Sequence, residues 1–330
     1  MHFLMLLLGF LFIAAAIGSL FFRKIERFRF TFLASAFALF AFIFPSSFIS
    51  WGDFQLKSFI GPMVQIILLG MGTTLTIKDL VRVFHKPKLI LIGIGLQYMI
   101  MPLSGFAFAG IFQLPDEIAV GLVLIGSCPG GVSSNVIAYL SKANVALSIS
   151  VTAVSTLLSP FLTPIAMKLL SGSFVNIEFS AMFFSILKLV LLPLILGITL
   201  NGIFPKFSTQ IKRVLPSVAM LCICLIIAIT IALSIDDILE IGVTIFFAIL
   251  CQNAGGYLLG YYCTRFLGYS KIEARTISIE VGIQNGGMAT GIAFEVLESV
   301  RAALGSAIYG PWSAFVGSIL ASFWGKANKT

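Results

Sequence analysis

The chain has 330 residues, of which 59% are hydrophobic, 32 are Phe and only 10% are charged, and its mean hydropathy is +1.07. A water-soluble fold of that composition would lack the polar surface to cover itself, which leaves an all-α polytopic membrane protein. The net charge of +8 does not mark a nucleic-acid binder, because the basic residues sit in short connections and no soluble basic face interleaved with aromatics exists.

In chain order, apolar segments run at about 3–22, 30–50, 58–76, 88–111, 117–140, 145–170, 179–204, 214–233, 237–264, 272–296 and 303–325, each near the length that spans hydrocarbon. Lys and Arg fall in alternate connections: Arg23, Lys24, Arg27 and Arg29; Lys78, Arg82, Lys86 and Lys88; Lys142; Lys206, Lys212 and Arg213; Arg265, Lys271 and Arg275; Lys326 and Lys329. The opposite connections hold Asp53, Asp116, Glu117, Glu178, Asp236, Asp237, Glu240, Glu295 and Glu298. Retention of basic loops on the inner side puts the C-terminus in the cytoplasm of a cell whose inner (plasma) membrane holds the chain. The first segment admits two readings, a signal peptide or a retained extra helix. Its start, Met1-His2, has no positive charge and no small-x-small cleavage site precedes Arg23, so a retained helix is expected.

Without that first helix, ten remain, in two sets of five that begin near Thr31 and Ser180, an offset of about 150 residues. An odd number of helices per half inverts one half relative to the other, and a pseudo-two-fold axis in the membrane plane then brings the two fourth helices together. Those two carry polar, helix-breaking runs where lipid-buried helix is expected: Ser127-Cys128-Pro129-Gly130-Gly131-Val132-Ser133-Ser134-Asn135 and Glu280-Val281-Gly282-Ile283-Gln284-Asn285-Gly286-Gly287. An unpaired backbone group in hydrocarbon costs several kcal/mol, so a break is tolerated only where protein, water or an ion receives it.

The breaks supply the chemistry of a cation. Glu280 is a carboxylate in an apolar stretch, which costs about 3 kcal/mol on insertion scales and calls for a cation, a proton or a basic partner. Lys188 is the only Lys or Arg well inside a span. Gln284 stands four residues on, and the carbonyls of Val281 and Ile283 become available if the glycines unwind the helix. In the first half, Pro129, Gly130 and Gly131 stop one half-helix while Ser133, Ser134 and Asn135 are good N-cap residues for the next, whose free amides suit an anion. Ser148 and Thr152 lie one turn apart on the following helix and aim two hydroxyls at one place. Gln97 is an isolated amide in an apolar run. Each has a plainer reading: Gly130 as a packing residue, Ser148 and Thr152 bonded back to their own helix, Gln97 as interhelical glue, Lys188 as a snorkelling side chain. Glu280 is different, because an intramembrane carboxylate is functional by default.

At these residues the chain resembles the bile acid:sodium symporter family in its bacterial branch. The similarity covers roughly residues 31–325 and includes Cys128-Pro129-Gly130-Gly131, Ser134-Asn135, Asn144-Val145-Ala146-Leu147-Ser148 and Glu280-Val281-Gly282-Ile283-Gln284-Asn285. The resemblance implies a ten-helix inverted repeat with two crossing discontinuous helices, divided into a panel at 30–77 and 178–235 and a core at 78–177 and 236–330, with 1–29 as an extra N-terminal helix and loop. It implies two sodium sites, one of Ser134, Asn135, Ser148, Thr152 and Glu280, the other of Gln97, Glu280, Gln284 and the carbonyls of Val281 and Ile283. Substrate would sit in the cleft between panel and core, near Val132, Ser133, Asn285, Gly286 and Ser313. Val132 departs from the Thr of relatives, and Ser313-Ala314 replaces a more polar pair.

The expected function is sodium-coupled import of an organic anion, bile-acid-like or a small carboxylate such as pantoate or a 2-oxo acid, by alternating access. Two sodium ions accompany the substrate, no other cofactor is called for, no nucleic acid is involved, and a monomer in the lipid bilayer suffices. Two other classes remain on the residues alone: an intramembrane hydrolase using Ser133 or Ser134, which lacks a nearby His or Lys base, and a sodium-independent channel or sensor. Cys128, Cys222, Cys224, Cys251 and Cys263 lie inside spans and read as small buried hydrophobes, and no metal-protease, phosphate-loop or dinucleotide motif is present.

Overall fold

A chain surrounded by hydrocarbon must satisfy its backbone internally, and this one does so almost entirely as helix. A computed structural model describes residues 2–22, 28–76, 87–172, 174–175 and 177–326. The basic connections at 23–27 and 77–86, with Arg23, Lys24, Arg27, Lys78, Arg82 and Lys86, lie outside the described residues, as does Lys329.

In order, the helices are α1 (His2–Phe21), α2 (Arg29–Ile43), α3 (Ile60–Thr74), α4 (Pro87–Ile111), α5 (Asp116–Gly126), α6 (Ser133–Leu140), α7 (Val145–Ser171), α8 (Phe179–Ile186), α9 (Leu192–Ile203), α10 (Pro205–Leu233), α11 (Ile235–Phe266), α12 (Lys271–Gly282), α13 (Gly286–Glu295) and α14 (Val300–Lys326). Leu187–Leu191 forms a π turn that joins α8 to α9 without a break in the rod. Among the described residues eight spans are long and apolar enough to cross a membrane. The two broken pairs, α5–α6 and α12–α13, and the 15-residue α2 supply the rest. This is an all-α, multi-pass membrane protein.

Helix α2 is shorter than the apolar run, which continues to residue 50. Pro45 disfavours helical backbone at Phe44, whose φ of −123° and ψ of 61° leave the α region. Beyond it come one helical turn, Ser46–Ile49, and a two-residue antiparallel ribbon, Ser50–Trp51 with Phe54–Gln55, turned at Gly52 with φ +60°.

Two groups of helices pack within themselves. In one, α3 lies against α9 and α10, and α10 against α2; α1 packs on the outer side of α2. Glycines set the α3–α9 distance: a Cβ on Gly72 would fall 2.2 Å from the Leu194 carbonyl oxygen, and one on Gly197 2.4 Å from that of Leu69. In the other group α4 packs on α5, α7 and α11, α11 on α12, and α14 on α5 and α13. The groups meet where α3 touches α13 and α14 touches α2 and α10.

Candidate functional site

The two breaks cross and pair. The chain leaves the helix between α5 and α6 around Gly130 and between α12 and α13 at 283–285, and Gly130 faces Gln284 in an antiparallel bridge. The Gly131 amide donates to the Ile283 carbonyl at 3.0 Å and the Asn285 amide to the Pro129 carbonyl at 2.9 Å. Each break thus satisfies backbone groups that the other freed. Side chains on adjacent extended residues point opposite ways, so the crossing has two faces. A Cβ on Gly130 would lie 2.8 Å from Glu280 Oε2, whereas one on Gly131 would meet the Gln284 carbonyl at 2.7 Å. A side chain at Gly130 would have to displace the Glu280 carboxylate, and one at Gly131 the Gln284 backbone.

On the Gly130 face Glu280 is completely buried. Its Oε1 accepts from Ser148 Oγ at 2.5 Å and its Oε2 from Thr152 Oγ1 at 2.6 Å. Ser148 Oγ also lies 2.9 Å from Asn135 Oδ1, and Thr152 Oγ1 3.3 Å from Ser134 Oγ. The expected set of Ser134, Asn135, Ser148, Thr152 and Glu280 is therefore one cluster. A hydroxyl has a single proton, so Ser148 cannot serve both of its acceptors at once. Oxygens outnumber protons here, and among the described residues no basic side chain pairs with Glu280. The local hydroxyls that do bond back to their helix are others: Ser150 to Ala146, Ser155 and Thr156 to Thr152.

The second expected set is adjacent and differently arranged. Gln97 is fully buried, with Nε2 donating to the Cys128 carbonyl at 3.0 Å and reaching Gln284 Oε1 at 3.4 Å; its Oε1 has no partner. Gln284 Nε2 donates to the Val281 carbonyl at 2.6 Å, and the Ile283 carbonyl is engaged by Gly131. Gln97 and Gln284 come together as expected, but both Glu280 oxygens turn to the first cluster. Helix α12 ends at Gly282, so Gln284 is on unwound backbone and does not share a helical face with Glu280.

On the other face a cavity of about 790 Å³ opens between the helix groups, lined mostly by apolar side chains of α2, α3, α10, α6 and α14. Val132, Ser133, Asn285 and Gly286 line it. Ser313 does not: it is buried, its hydroxyl donates back to the Gly310 carbonyl at 3.0 Å, and Gly310 and Ala314 on the same helix reach the cavity instead. Helices α6 and α13 both begin at this wall. The sequence pointed to Ser133, Ser134 and Asn135 as caps for α6, but Val132 is the N-cap residue and no side chain caps that helix, because those three turn into its first turn. Asn285 does cap α13, accepting from the Met288 amide at 3.1 Å. Its Nδ2 has no partner, although the residue is only 6% exposed.

Behind the crossing stands a set of residues that the sequence reading passed over. Asn253 Nδ2 and Tyr309 Oη both donate to the Gly282 carbonyl, at 2.8 and 2.9 Å. Tyr257 covers the Cα of Gly282 so closely that a Cβ there would be 2.5 Å from its ring. The end of α12 is thus fixed from the rear. The signal was available, since Gln252-Asn253 is a polar pair inside the apolar α11, the same violation that exposes the breaks. Cys128, Cys222 and Cys224 are buried and unbonded to one another, and Lys188 is exposed in the π turn.

A family model described as the sodium bile acid symporter family matches residues 61–241. The chain is 38% identical over 310 residues to the uncharacterized sodium-dependent transporter YocS of Bacillus subtilis (strain 168), covering 93% of this chain and 95% of that one. It is 35% identical over 270 residues to the probable sodium/metabolite cotransporter BASS1, chloroplastic, of Oryza sativa subsp. japonica, covering 80% of this chain and 66% of that one. Against the protein of the same name in Arabidopsis thaliana it is 35% identical over 261 residues, covering 79% of this chain and 65% of that one. The matched stretch and the near full-length likeness to the bacterial relative agree with two broken helices that cross at a buried carboxylate, and this chain belongs to the sodium bile acid symporter family, whose members are sodium-dependent transporters and not enzymes.

Proposed function

We propose that the protein is a secondary symporter that couples inward movement of sodium to import of an organic anion by alternating access. The observation that carries this is the Glu280 cluster. A buried carboxylate ringed by Ser134, Asn135, Ser148 and Thr152 has more acceptor oxygens than protons to share among them, which is what a hard monovalent cation relieves. The orphaned Gln97 Oε1, beside Gln284, supports a second ion there, with the Val281 and Ile283 carbonyls turning to it as their present hydrogen bonds yield.

The substrate reading rests on the opposite face. The starts of α6 and α13 present backbone amides and positive dipole to the cavity, and Asn285 adds an unpartnered donor. A carboxylate or sulfonate is the group that these donors accept. Sodium binding holds the two breaks in the crossed arrangement that shapes this wall, so ion and anion favour the same state. The group α4–α7 with α11–α14 then acts as a core that rocks against a panel of α2, α3 and α8–α10, with the cavity as the alternating cleft. In this scheme the chain works as a monomer in the plasma membrane with its C-terminus in the cytoplasm. Ser134 is no nucleophile: its hydroxyl is spent on Thr152 within the ion cluster.

The test is thermal stability of the purified protein titrated with sodium or potassium. Sodium is expected to raise the melting temperature with saturation and potassium to leave it unchanged, while Glu280→Ala abolishes the sodium response. A full sodium shift in Glu280→Ala overturns the assignment of Glu280.

A further inference from the structure

One turn outside the ion cluster, the two helices that meet at Glu280 are joined a second time. Asn144, the N-cap residue of α7, gives its backbone amide to Thr276 Oγ1 of α12 at 2.9 Å. One turn further along both helices, Ser148 Oγ donates to Glu280 Oε1. Partners in the two pairs are the same 132 residues apart in the chain, so α7 and α12 run parallel and in step here, with rungs about 6 Å apart.

The lower rung closes a ring through both helices. The Thr276 hydroxyl donates to the Ile272 carbonyl at 2.8 Å on its own helix, which leaves its oxygen as the acceptor for Asn144. The Asn144 side chain accepts from the Leu147 amide at 3.0 Å, and its carbonyl accepts from the Ser148 amide at 3.0 Å. The first turn of α7 is thereby tied, backbone and cap together, to the residue that carries the Ser148 hydroxyl. Thr276 is completely buried and Asn144 half-buried.

The upper rungs cannot fix this register by themselves. Glu280 reaches Ser148 and Thr152 through a side chain with several rotatable bonds, which can follow α7 through a small slide or turn. Thr276 has one stiff rotor, and its partner on α7 is a backbone amide. A slip of α7 by one residue would carry the Ser148 hydroxyl about 1.5 Å along the axis and about 100° around it, out of the oxygen set. A buried threonine bonded back to its own helix is ordinary, as Thr230 is to Ile226 in α10. The bond from Asn144, in step with the Glu280 pair, is what sets Thr276 apart.

We infer that Thr276 is a positioning residue for sodium binding: through the Asn144 amide it seats α7 on α12 so that the Ser148 and Thr152 hydroxyls converge on Glu280. This rests on the reading of the Glu280 cluster as an ion site.

The thermal stability of the purified full-length protein is titrated with sodium for the unmodified chain, Thr276→Val, Thr276→Ala, Thr276→Ser and, as a control, Thr230→Val. The sodium concentration that gives half of the shift is expected to rise about fivefold in Thr276→Val and Thr276→Ala, the factor that one net hydrogen bond carries, and to return close to the unmodified value in Thr276→Ser, which keeps the oxygen. Thr230→Val is expected to leave that concentration unchanged, whatever it does to the melting temperature. Hydrogen exchange without sodium reads the clasp directly: the amides of 141–148 are expected to exchange faster in Thr276→Val than in the unmodified protein or in Thr276→Ser. A sodium midpoint that stays put in both oxygen-free variants, an equal rise in Thr230→Val, no rescue by Thr276→Ser, or exchange of 141–148 that is the same throughout overturns the inference. Failure of both oxygen-free variants to fold also overturns it, since the hydroxyl then serves the fold. Absence of a sodium shift in the unmodified protein overturns the ion reading itself, and the inference with it.

Discussion

Gly130 and Gly131 are consecutive, chemically identical and answer to different parts of the machine. A Cβ on Gly130 would collide with Glu280 Oε2, a carboxylate oxygen that Thr152 already holds. One on Gly131 would collide with the Gln284 backbone. Gly130→Ala is therefore expected to fold, to cost about 1–3 kcal/mol through overpacking, and to weaken the sodium-dependent thermal shift about tenfold or more in sodium concentration. Gly131→Ala forces the paired backbones apart and is expected to lose more stability than Gly130→Ala, as measured by the melting temperature without sodium. At the same scale Asn285→Ala removes the cap of α13, worth about 0.5–2 kcal/mol, and is expected to abolish anion binding while leaving a sodium shift. If Asn285→Ala binds anions normally, the donors at that wall are not the recognition group.

At the scale of the element, the ends of the half-helices matter more than their middles. The breaks were legible in the sequence because proline, paired glycines and a run of hydroxyls cannot continue a lipid-buried helix, and Glu280 was legible because an apolar run excludes a carboxylate. The partners were less so. Ser148 and Thr152 carry the same spacing whether they face Glu280 or their own carbonyls, and only the packing of α7 on α12 decides it. The antiparallel bridge joins residues far apart in the chain, each of which has no strand-like pattern around it, so nothing local announces it. Ser313 was misplaced because polarity alone does not say which side of α14 is wet; its hydroxyl needs no outside partner once it bonds to Gly310. The rear support of α12 yields a prediction of its own. Tyr309→Phe removes one of two donors to the Gly282 carbonyl and is expected to cost about 1 kcal/mol, whereas Asn253→Ala removes the other and leaves space as well. Both are expected to reduce the sodium response more than anion binding in saturating sodium, a split that sodium titrations at fixed anion would show.

For the whole molecule, the charge carried per cycle depends on what fills the cavity. If two sodium ions accompany a monoanion, one net positive charge moves inward, a gain of about 2.3 kcal/mol per 100 mV. If they accompany a dianion, none moves. In proteoliposomes loaded to an inside-negative potential, uptake of a monocarboxylate is expected to accelerate and to generate current, and uptake of a dicarboxylate is expected to be indifferent to voltage. Currents of equal size for both would show that the ion count follows the substrate charge.

The crossing also serves as a partition. Gly130 looks towards Glu280 while Gly131 and Asn285 border the cavity, so the wall between the proposed cation and anion sites is one extended strand pair thick, closed by two amide-to-carbonyl bonds. Whatever factor sodium contributes to anion affinity, the anion must return to sodium affinity by the same factor. A partition so thin makes that exchange local, with no relay of distant helices between the two ligands.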